Sequence, residues 1–204
     1  DAHPHVSAVL VAHHQDDVIE TYLMQKQSQR LSLYYGIEED TIIEGVRVLR
    51  PLLEYKKSDL LHIVEKHNIP FSIDASNLKD DYTRNKIRHA IVERLSPSER
   101  MALLSKMNDR NAHNHQLIET FSAGLTGKNR AKTSDFIFLT PEDFAFVMTY
   151  FLRTNGMTNA ISLPKFTEMK RMLERVNVPN VVLFESESLQ LIRAYDEVRV
   201  VPAS

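Results

Sequence analysis

The sequence predicts an α/β fold in which a parallel-sheet domain precedes a mainly helical domain with a small β hairpin. Three observations predict it. A short Val-rich run at residues 6–12 is followed at once by a polar turn and a helical repeat, which is typical of a parallel-sheet unit. Helical periodicity dominates residues 98–176. Short runs of β-branched and aliphatic residues return only after residue 180.

The composition is that of an ordinary globular protein: 43% of the 204 residues are hydrophobic, 25% are charged, and the net charge is −2. The chain has no cysteine, which excludes disulfides, thiolate metal sites and a cysteine nucleophile. Without a strong net charge, any nucleic-acid surface must be a local basic patch. No apolar run reaches the roughly 18 residues of a membrane span, so we predict no membrane partner. The absence of cysteine fits a reducing compartment, and we predict a cytoplasmic protein.

The first predicted elements surround a polar turn. Residues 6–12 are expected to form a buried strand. A helix is expected to begin near Asp16 and Asp17, because carboxylates favour the N-terminus of a helix. Residues 25–45 are polar and contain two glycines, so we interpret them as a loop with short pieces of structure.

A strand and two helices complete the first predicted domain, residues 1–96. The strand, at residues 46–49, ends before Pro51. The first helix is predicted to be capped by Ser58, and the second is predicted to begin at Arg84.

The second predicted domain, residues 97–204, begins with a long helix at 98–122. Residues 123–135 are expected to be a loop. Two amphipathic helices follow, one capped by Thr140 and one beginning at Leu163. Three short strands are predicted at the end of the chain, at 181–184, 189–194 and 198–201. The last two form the hairpin.

The densest group of reactive side chains directly follows the first strand. Asp17 and Glu20 are three residues apart and share one helix face, where two carboxylates can hold an ammonium group or a divalent metal. His14 and Asp16 lie beside them. The alternative is a helix start with capping acids and surface histidines. We favour a functional site, because open α/β sheets bind ligands just after their strands end.

A metal-dependent phosphoesterase is a second interpretation of these residues, since imidazole and carboxylate groups ligate metals. It needs further ligands elsewhere in the chain. The remaining histidines lack the usual spacing: His113 and His115 are two residues apart and point in different directions on a helix. We therefore predict no metal site in the protein.

A second group of polar residues combines amides and guanidiniums. Arg84 and Arg88 are four residues apart and line one helix face, from which they can bind phosphates. Asn77 and Asn85 can read a base edge or hold a loop. A solvated basic face beside an Asx turn explains the same residues equally well.

Together the two groups resemble the bacterial tRNA(Ile)-lysidine synthases, of the PP-loop ATP pyrophosphatase class. Four segments carry the resemblance, in the family's order: VAHHQDDVIET at 11–21, RPLL at 50–53, DASN at 74–77 and YTRNKIR at 82–88. The resemblance implies the C-terminal part of a Rossmann-like PP-loop domain, followed by a helical domain that binds substrate and tRNA.

The resemblance also implies an ATP-dependent ligase reaction in two steps. ATP, with Mg²⁺, adenylates the wobble cytidine in the CAU anticodon of tRNA(Ile) and releases pyrophosphate. Free L-lysine then displaces AMP and forms lysidine. A homodimer is a further expectation.

The family's site residues map onto both groups. The resemblance implies that Asp17 and Glu20 bind the lysine and that His14 and Asp16 line the reaction centre. Contacts with tRNA or nucleotide phosphates would come from the second group: Asn77, Arg84, Asn85 and Arg88.

The sequence departs from the family in two places. It contains no Ser-Gly-Gly-x-Asp-Ser phosphate loop, and its five glycines include no Gly-Gly pair. That loop, which the family carries upstream of the His-His-x-Asp-Asp motif, holds ATP phosphates with backbone N–H groups. The segment at 26–36 also differs from the family's Arg- and Gly-rich pattern.

From these departures we expect a fragment that lacks the phosphate loop and the C-terminal domain, and that alone neither hydrolyses ATP nor makes lysidine. The alternatives are a catalytically incomplete tRNA- or ATP-binding module and a related PP-loop tRNA-modifying enzyme. Among the latter, the thiolases that act on cytidine rely on cysteines, which this chain lacks.

Overall fold

The computed structural model describes residues 7–28, 31–71, 87–88, 90–175 and 180–203. The chain divides into two compact units, and the division falls inside one long helix, between Arg110 and Asn111. Leu31–Leu33 belongs to the second unit. The predicted domain boundary before residue 97 coincides with the start of that helix and stays a prediction.

The first unit combines a small mixed sheet with helices. In the sheet, β1 pairs parallel with β3, and β2 pairs antiparallel with β3, giving the strand order β1-β3-β2. A single-turn 3-10 helix, Val92–Arg94, precedes the long helix α3. The remaining elements have these bounds: β1 Val9–Leu10, α1 Gln15–Gln27, β2 Asp40–Ile43, β3 Val46–Leu49, α2 Lys57–Lys66 and α3 Pro97–Gly124. This mixed α/β arrangement confirms the predicted fold class.

The first strand is shorter and more exposed than predicted. Instead of a buried strand over residues 6–12, β1 contains only Val9 and Leu10, which are 43% and 70% exposed. Within the described residues β1 is an edge strand, paired on one side only. An apolar run predicts a strand, but its burial depends on what packs against it, so this part of the prediction is wrong.

Residues 25–45 contain more regular structure than the predicted loop. The first three of them still belong to α1, and β2 forms a hairpin with β3. The hairpin turns at Glu44 and Gly45, with φ of +51° and +82°. Two positive φ angles in a two-residue turn match the twist of paired strands, and glycine meets one of them without strain.

Helix α2 begins before Ser58 and is not capped by it. Lys56 is the N-cap residue, and the N–H of Lys57 donates to Asp16 Oδ2 at 3.0 Å. A carboxylate 41 positions earlier in the chain therefore caps this helix. Asn68, with φ of +49°, follows the last turn of α2, close to the predicted end.

The helix predicted to begin at Arg84 lies partly outside the described residues. Ile87, Arg88 and Ala90 are helical, and the 3-10 turn follows them. The last turn is thus tighter than an α-helix, as is common at helix ends.

Two apolar clusters hold the first unit together, and α1 contributes to both. One cluster contains Val18 and Tyr22 with residues of other segments, and the second contains Ile19. Because α1 packs on two sides, the neighbouring acidic residues Asp17 and Glu20 are buried as well. The buried members of the clusters are Val18, Tyr22, Tyr35 and Met107 in one, and Ile19, Ile87 and Val92 in the other.

Gly36 lies against the first of these clusters and offers a test of its packing. Its φ is +80°, and a Cβ there would lie 2.7 Å from Met107 Sδ and 3.0 Å from Val18 Cγ1. Gly45 has a φ of +82° and nothing within 4 Å of such a Cβ. We expect Gly45→Ala to cost about 1–2 kcal/mol of unfolding free energy, from backbone strain alone. Gly36→Ala should cost about 1–2 kcal/mol more, because it also overpacks the cluster.

Urea unfolding followed by circular dichroism measures both glycine variants, since the chain has no tryptophan to report by fluorescence. Equal losses for the two variants would show that the cluster yields without cost and would contradict the expected difference.

The second unit packs helices against an antiparallel sheet. The strand order is β4-β7-β6-β5, and every neighbouring pair is antiparallel. One apolar core joins both layers and includes Phe136, Phe144, Phe151, Leu183 and Leu191, all essentially inaccessible to solvent. The elements are β4 Arg130–Lys132, α4 Ser134–Ile137, α5 Pro141–Thr154, α6 Leu163–Glu174, β5 Asn180–Glu185, β6 Leu189–Ala194 and β7 Glu197–Pro202.

The helices of this unit confirm the sequence prediction, whereas the sheet is larger than the predicted hairpin. Thr140 caps α5, since its Oγ1 accepts the N–H of Asp143 at 3.2 Å. The hairpin of β6 and β7 turns at Tyr195, with φ of +57°. However, β4 and α4 form where a loop was predicted at 123–135, and β4 and β5 extend the hairpin to four strands. Among the described residues, no helix is long and apolar enough to cross a membrane.

Candidate functional site

The first predicted group of site residues lies at the N-terminus of α1. The chain leaves β1 at Leu10 and enters α1 at Gln15, with His14 as the N-cap residue. The N–H of His14 donates to Asp17 Oδ2 at 2.9 Å, and His14 Nδ1 lies 3.3 Å from the same oxygen. The turn after the parallel strand therefore brings His14, Asp16 and Asp17 to one end of the helix.

The carboxylates of Glu20 and Asp17 face the guanidinium of Arg88. Arg88 Nε donates to Glu20 Oε1 at 2.5 Å and Nη2 donates to Oε2 at 3.0 Å, while Asp17 Oδ1 lies 3.5 Å from Nη2. Glu20 is 0% exposed and Asp17 is 7% exposed. The pKa of Arg88 is raised, first by its hydrogen bond with Glu20, although desolvation acts in the opposite direction. The guanidinium therefore stays charged and holds a bidentate pair.

This pair joins the two predicted groups of site residues, since Glu20 belongs to the group after the first strand and Arg88 to the group of amides and guanidiniums. Arg88 was expected to contact phosphates, and Glu20 to contact lysine. Their contact spans 68 positions of the chain, and no local spacing in the sequence indicates it.

Asp16 is held by donors from two other elements. Arg100 Nη1, near the start of α3, donates to Asp16 Oδ1 at 2.5 Å, and the N–H of Lys57 donates to Oδ2. Arg100 Nη2 also donates to the carbonyl of Val92 at 3.3 Å. Asp16 thus fixes the starts of α1, α2 and α3 to one another. No local pattern in the sequence indicates this role of Arg100, because it lies 84 positions from Asp16 in an ordinary helix start.

Arg50, of the RPLL segment, has a structural role that the sequence did not reveal. It is buried, and its Nε donates to His13 Nδ1 at 3.2 Å. Its Nη1 donates to the carbonyl of Glu38 at 2.7 Å and to Thr41 Oγ1 at 2.9 Å. A guanidinium only donates, so His13 Nδ1 is the acceptor of this hydrogen bond. Arg50 thereby fixes the residue that precedes His14.

A cavity of about 400 Å³ opens beside Asp16. Its size is within the range of small-molecule sites, roughly 300–1,000 Å³. It has more basic than acidic lining residues. The lining comprises Asp16, Lys56, Lys57, Ser58, Leu61, Arg88, Val92, Glu93 and Arg100.

The other predicted site residues, Asn77, Arg84 and Asn85, lie outside the described residues. In the part of the chain that the structure describes, no three His, Asp or Glu side chains are grouped so as to hold a metal ion. His113 Nε2 lies 2.8 Å from Asp143 Oδ1 in the second unit.

Comparison with known proteins identifies the class of the first region: residues 2–95 match the family of PP-loop domains. This region is therefore similar to PP-loop domains. The chain is similar, more particularly, to the tRNA(Ile)-lysidine synthases, the family that its motifs resemble. It is 38% identical over 86 residues to the enzyme of that name from Mycoplasma pneumoniae, covering 42% of this chain and 30% of the relative. The Mycoplasma mycoides subsp. mycoides enzyme is 41% identical over 85 residues, covering 42% and 21%.

A third relative extends the similarity beyond the PP-loop domain. The "Bifunctional protein TilS/HprT" of Listeria innocua is 25% identical over 211 residues, covering 96% of this chain and 32% of its own length. The matched region therefore includes the second unit. The chain spans less than a third of the length of each of these three relatives.

Proposed function

We propose that this chain is part of a cytoplasmic tRNA(Ile)-lysidine synthase. In the proposed reaction ATP, with Mg²⁺, adenylates the wobble cytidine of a CAU anticodon, and free lysine displaces AMP to give lysidine. One observation carries the proposal: residues 2–95 match a PP-loop domain and align with curated enzymes of that name. The carboxylate cluster at the start of α1 supports it chemically, because a lysine substrate brings a cationic ammonium group.

Asp17 and Glu20 are the proposed lysine ligands, and the geometry gives them different tasks. Both oxygens of the fully buried Glu20 accept hydrogen bonds from Arg88. Asp17 is more accessible and lies farther from that guanidinium. The ammonium of lysine therefore contacts Asp17 first, and Glu20 contributes mainly by holding Arg88 and the negative field around it.

His14 and Asp16 are proposed to line the reaction centre. When the lysine amine attacks carbon 2 of the adenylated cytidine, the carbon–oxygen bond to AMP breaks and the nitrogen loses a proton. The imidazole of His14, held at the N-cap beside Asp17, is proposed to accept it. Asp16, held by Arg100 and Lys57, is a fixed negative charge that orients this end of the site.

The proposed tRNA or nucleotide contacts are Asn77, Arg84, Asn85 and Arg88. Arg88 already pairs with two carboxylates, so a phosphate bound to it competes with Glu20 and Asp17 or shares the guanidinium with them.

Lysine binding tests this proposal, because it does not require turnover by the chain alone. Calorimetry is done with ATP, Mg²⁺ and a CAU anticodon stem-loop present, so that all proposed ligands are available. We expect wild-type protein to bind lysine and Asp17→Asn to bind it about tenfold more weakly or worse, since a charge-assisted hydrogen bond is lost. Glu20→Gln should show a similar loss.

Two controls make the lysine experiment specific. Norleucine, which lacks the terminal ammonium, should bind more weakly than lysine, and Asp109→Asn, at an exposed position of α3, should bind lysine like wild type. Equal lysine affinity in all four proteins would remove Asp17 and Glu20 from the site. No lysine binding to wild type under these conditions would show that the chain does not hold the lysine site.

A further inference from the structure

We infer that the cavity beside Asp16 is a phosphate-binding site in which Lys56 and Lys57, at the start of α2, supply the charge. Neither lysine belongs to the residues that the proposed reaction uses. The inference holds whether or not the protein makes lysidine, because it depends on the cavity and its charges.

The cavity carries two positive charges without acidic partners. Four cations line it, and they come from three separate segments: Lys56 and Lys57, then Arg88, then Arg100. Arg88 faces Glu20 and Asp17, and Arg100 faces Asp16. Throughout the described residues neither lysine forms an ion pair, and Lys57 is exposed. Arg88 and Arg100 are therefore neutralised by neighbouring acids, and the two lysines are the lining cations without an ion-pair partner among the described residues.

Two adjacent lysines without ion-pair partners suit a phosphate group better than a carboxylate. A phosphate has up to two negative charges and several acceptor oxygens, which donors approaching from different directions can share. Lysine binds phosphate as a point charge, and its ammonium group has three donor hydrogens. The volume of about 400 Å³ admits more than a lone phosphate, so a larger molecule enters with one phosphate group.

The placement of the lysines in α2 points the same way. Lys56 is the N-cap residue and Lys57 the first residue of the helix, where the positive end of the helix dipole disfavours cations. The carboxylate of Asp16, which caps this helix through the N–H of Lys57, offsets part of that cost, and a bound anion beside the ammonium groups offsets more. The proposed function supplies two phosphate-bearing ligands, a nucleotide and an RNA, and the choice of these two rests on that function.

The test measures binding of ATP and, separately, of an anticodon stem-loop RNA to the complete 204-residue chain. We expect the double variant Lys56→Ala/Lys57→Ala to bind one of these ligands at least about tenfold more weakly than wild type. Loss in the ATP arm alone identifies a nucleotide phosphate, and loss in the RNA arm alone identifies the RNA backbone. For RNA, the slope of log affinity against log salt should also fall by roughly one per lysine removed.

Lys66→Ala is the matched control, since Lys66 is exposed at the other end of the same helix and outside the cavity. It should bind both ligands within about twofold of wild type. Lys57→Arg, which keeps the charge, should retain most of the binding. The single variant Lys57→Ala covers the case in which the double variant is poorly folded. Unchanged affinity for both ligands in the lysine variants, or an equal loss in Lys66→Ala, would overturn the inference.

Discussion

Replacing Arg88 with alanine is expected to destabilise the first unit by about 3–5 kcal/mol, because the variant removes the guanidinium that pairs with the buried Glu20 carboxylate. Glu20 is fully buried, and both of its oxygens accept hydrogen bonds from this one guanidinium, at 2.5 and 3.0 Å. Asp17, 3.5 Å from the same group, loses a counter-charge as well. Chemical unfolding followed by circular dichroism measures the loss.

Two comparisons separate this effect from a general loss of charge. Arg47→Ala breaks the exposed pair between Arg47 and Asp40 and should change stability far less, because solvent screens that pair. The double variant Glu20→Leu/Arg88→Met removes both buried charges and should recover most of the stability that Arg88→Ala loses. If Arg88→Ala were no more destabilising than Arg47→Ala, the buried pair would not exist in solution.

Replacing Phe136 with alanine is expected to cost the second unit about 3–5 kcal/mol, from lost burial and the cavity left behind. The ring is inaccessible to solvent, and its centroid lies 5.1 Å from that of Phe121 and 5.9 Å from that of Phe151. The substitution therefore removes the centre of an aromatic cluster, and the surrounding rings cannot close the space without moving helices.

Phe138, two positions further along the chain, provides the control for Phe136. It is 85% exposed, so Phe138→Ala should change the unfolding free energy by no more than about 0.5 kcal/mol. Denaturation midpoints of the two variants can be compared directly, since the chemical change is the same. Similar midpoints for both variants would contradict the burial of Phe136.

The elements that could be predicted from the sequence are those with local causes. Thr140 accepts a hydrogen bond three residues away, and the apolar spacing of α5 lies within one helix, so both are visible in a short stretch of sequence. The strand, polar turn and helix around His14 are also consecutive, and their order places three predicted site residues together.

The features that the sequence did not reveal depend on contacts between distant residues. The three residues of β4 are too few to show a strand pattern, and they become a strand by pairing with β7. The partners of Asp16 and Glu20 are likewise remote in sequence. No local pattern therefore indicates that Asp16 caps α2 or that Arg88 pairs with Glu20. The exposure of Leu10 was missed because burial belongs to the surroundings of a strand and not to its own residues.

The bonds of Asp16 also set a time order on the formation of the site. One of its oxygens accepts a hydrogen bond from a backbone N–H 41 positions later in the chain, and the other accepts one from a guanidinium 84 positions later. During synthesis on the ribosome, α1 emerges with its acids well before either donor, and the two closures require loops of very different length. Asp16 therefore gains its full set of hydrogen bonds only after Arg100 has left the ribosome, later than the helix that carries it forms.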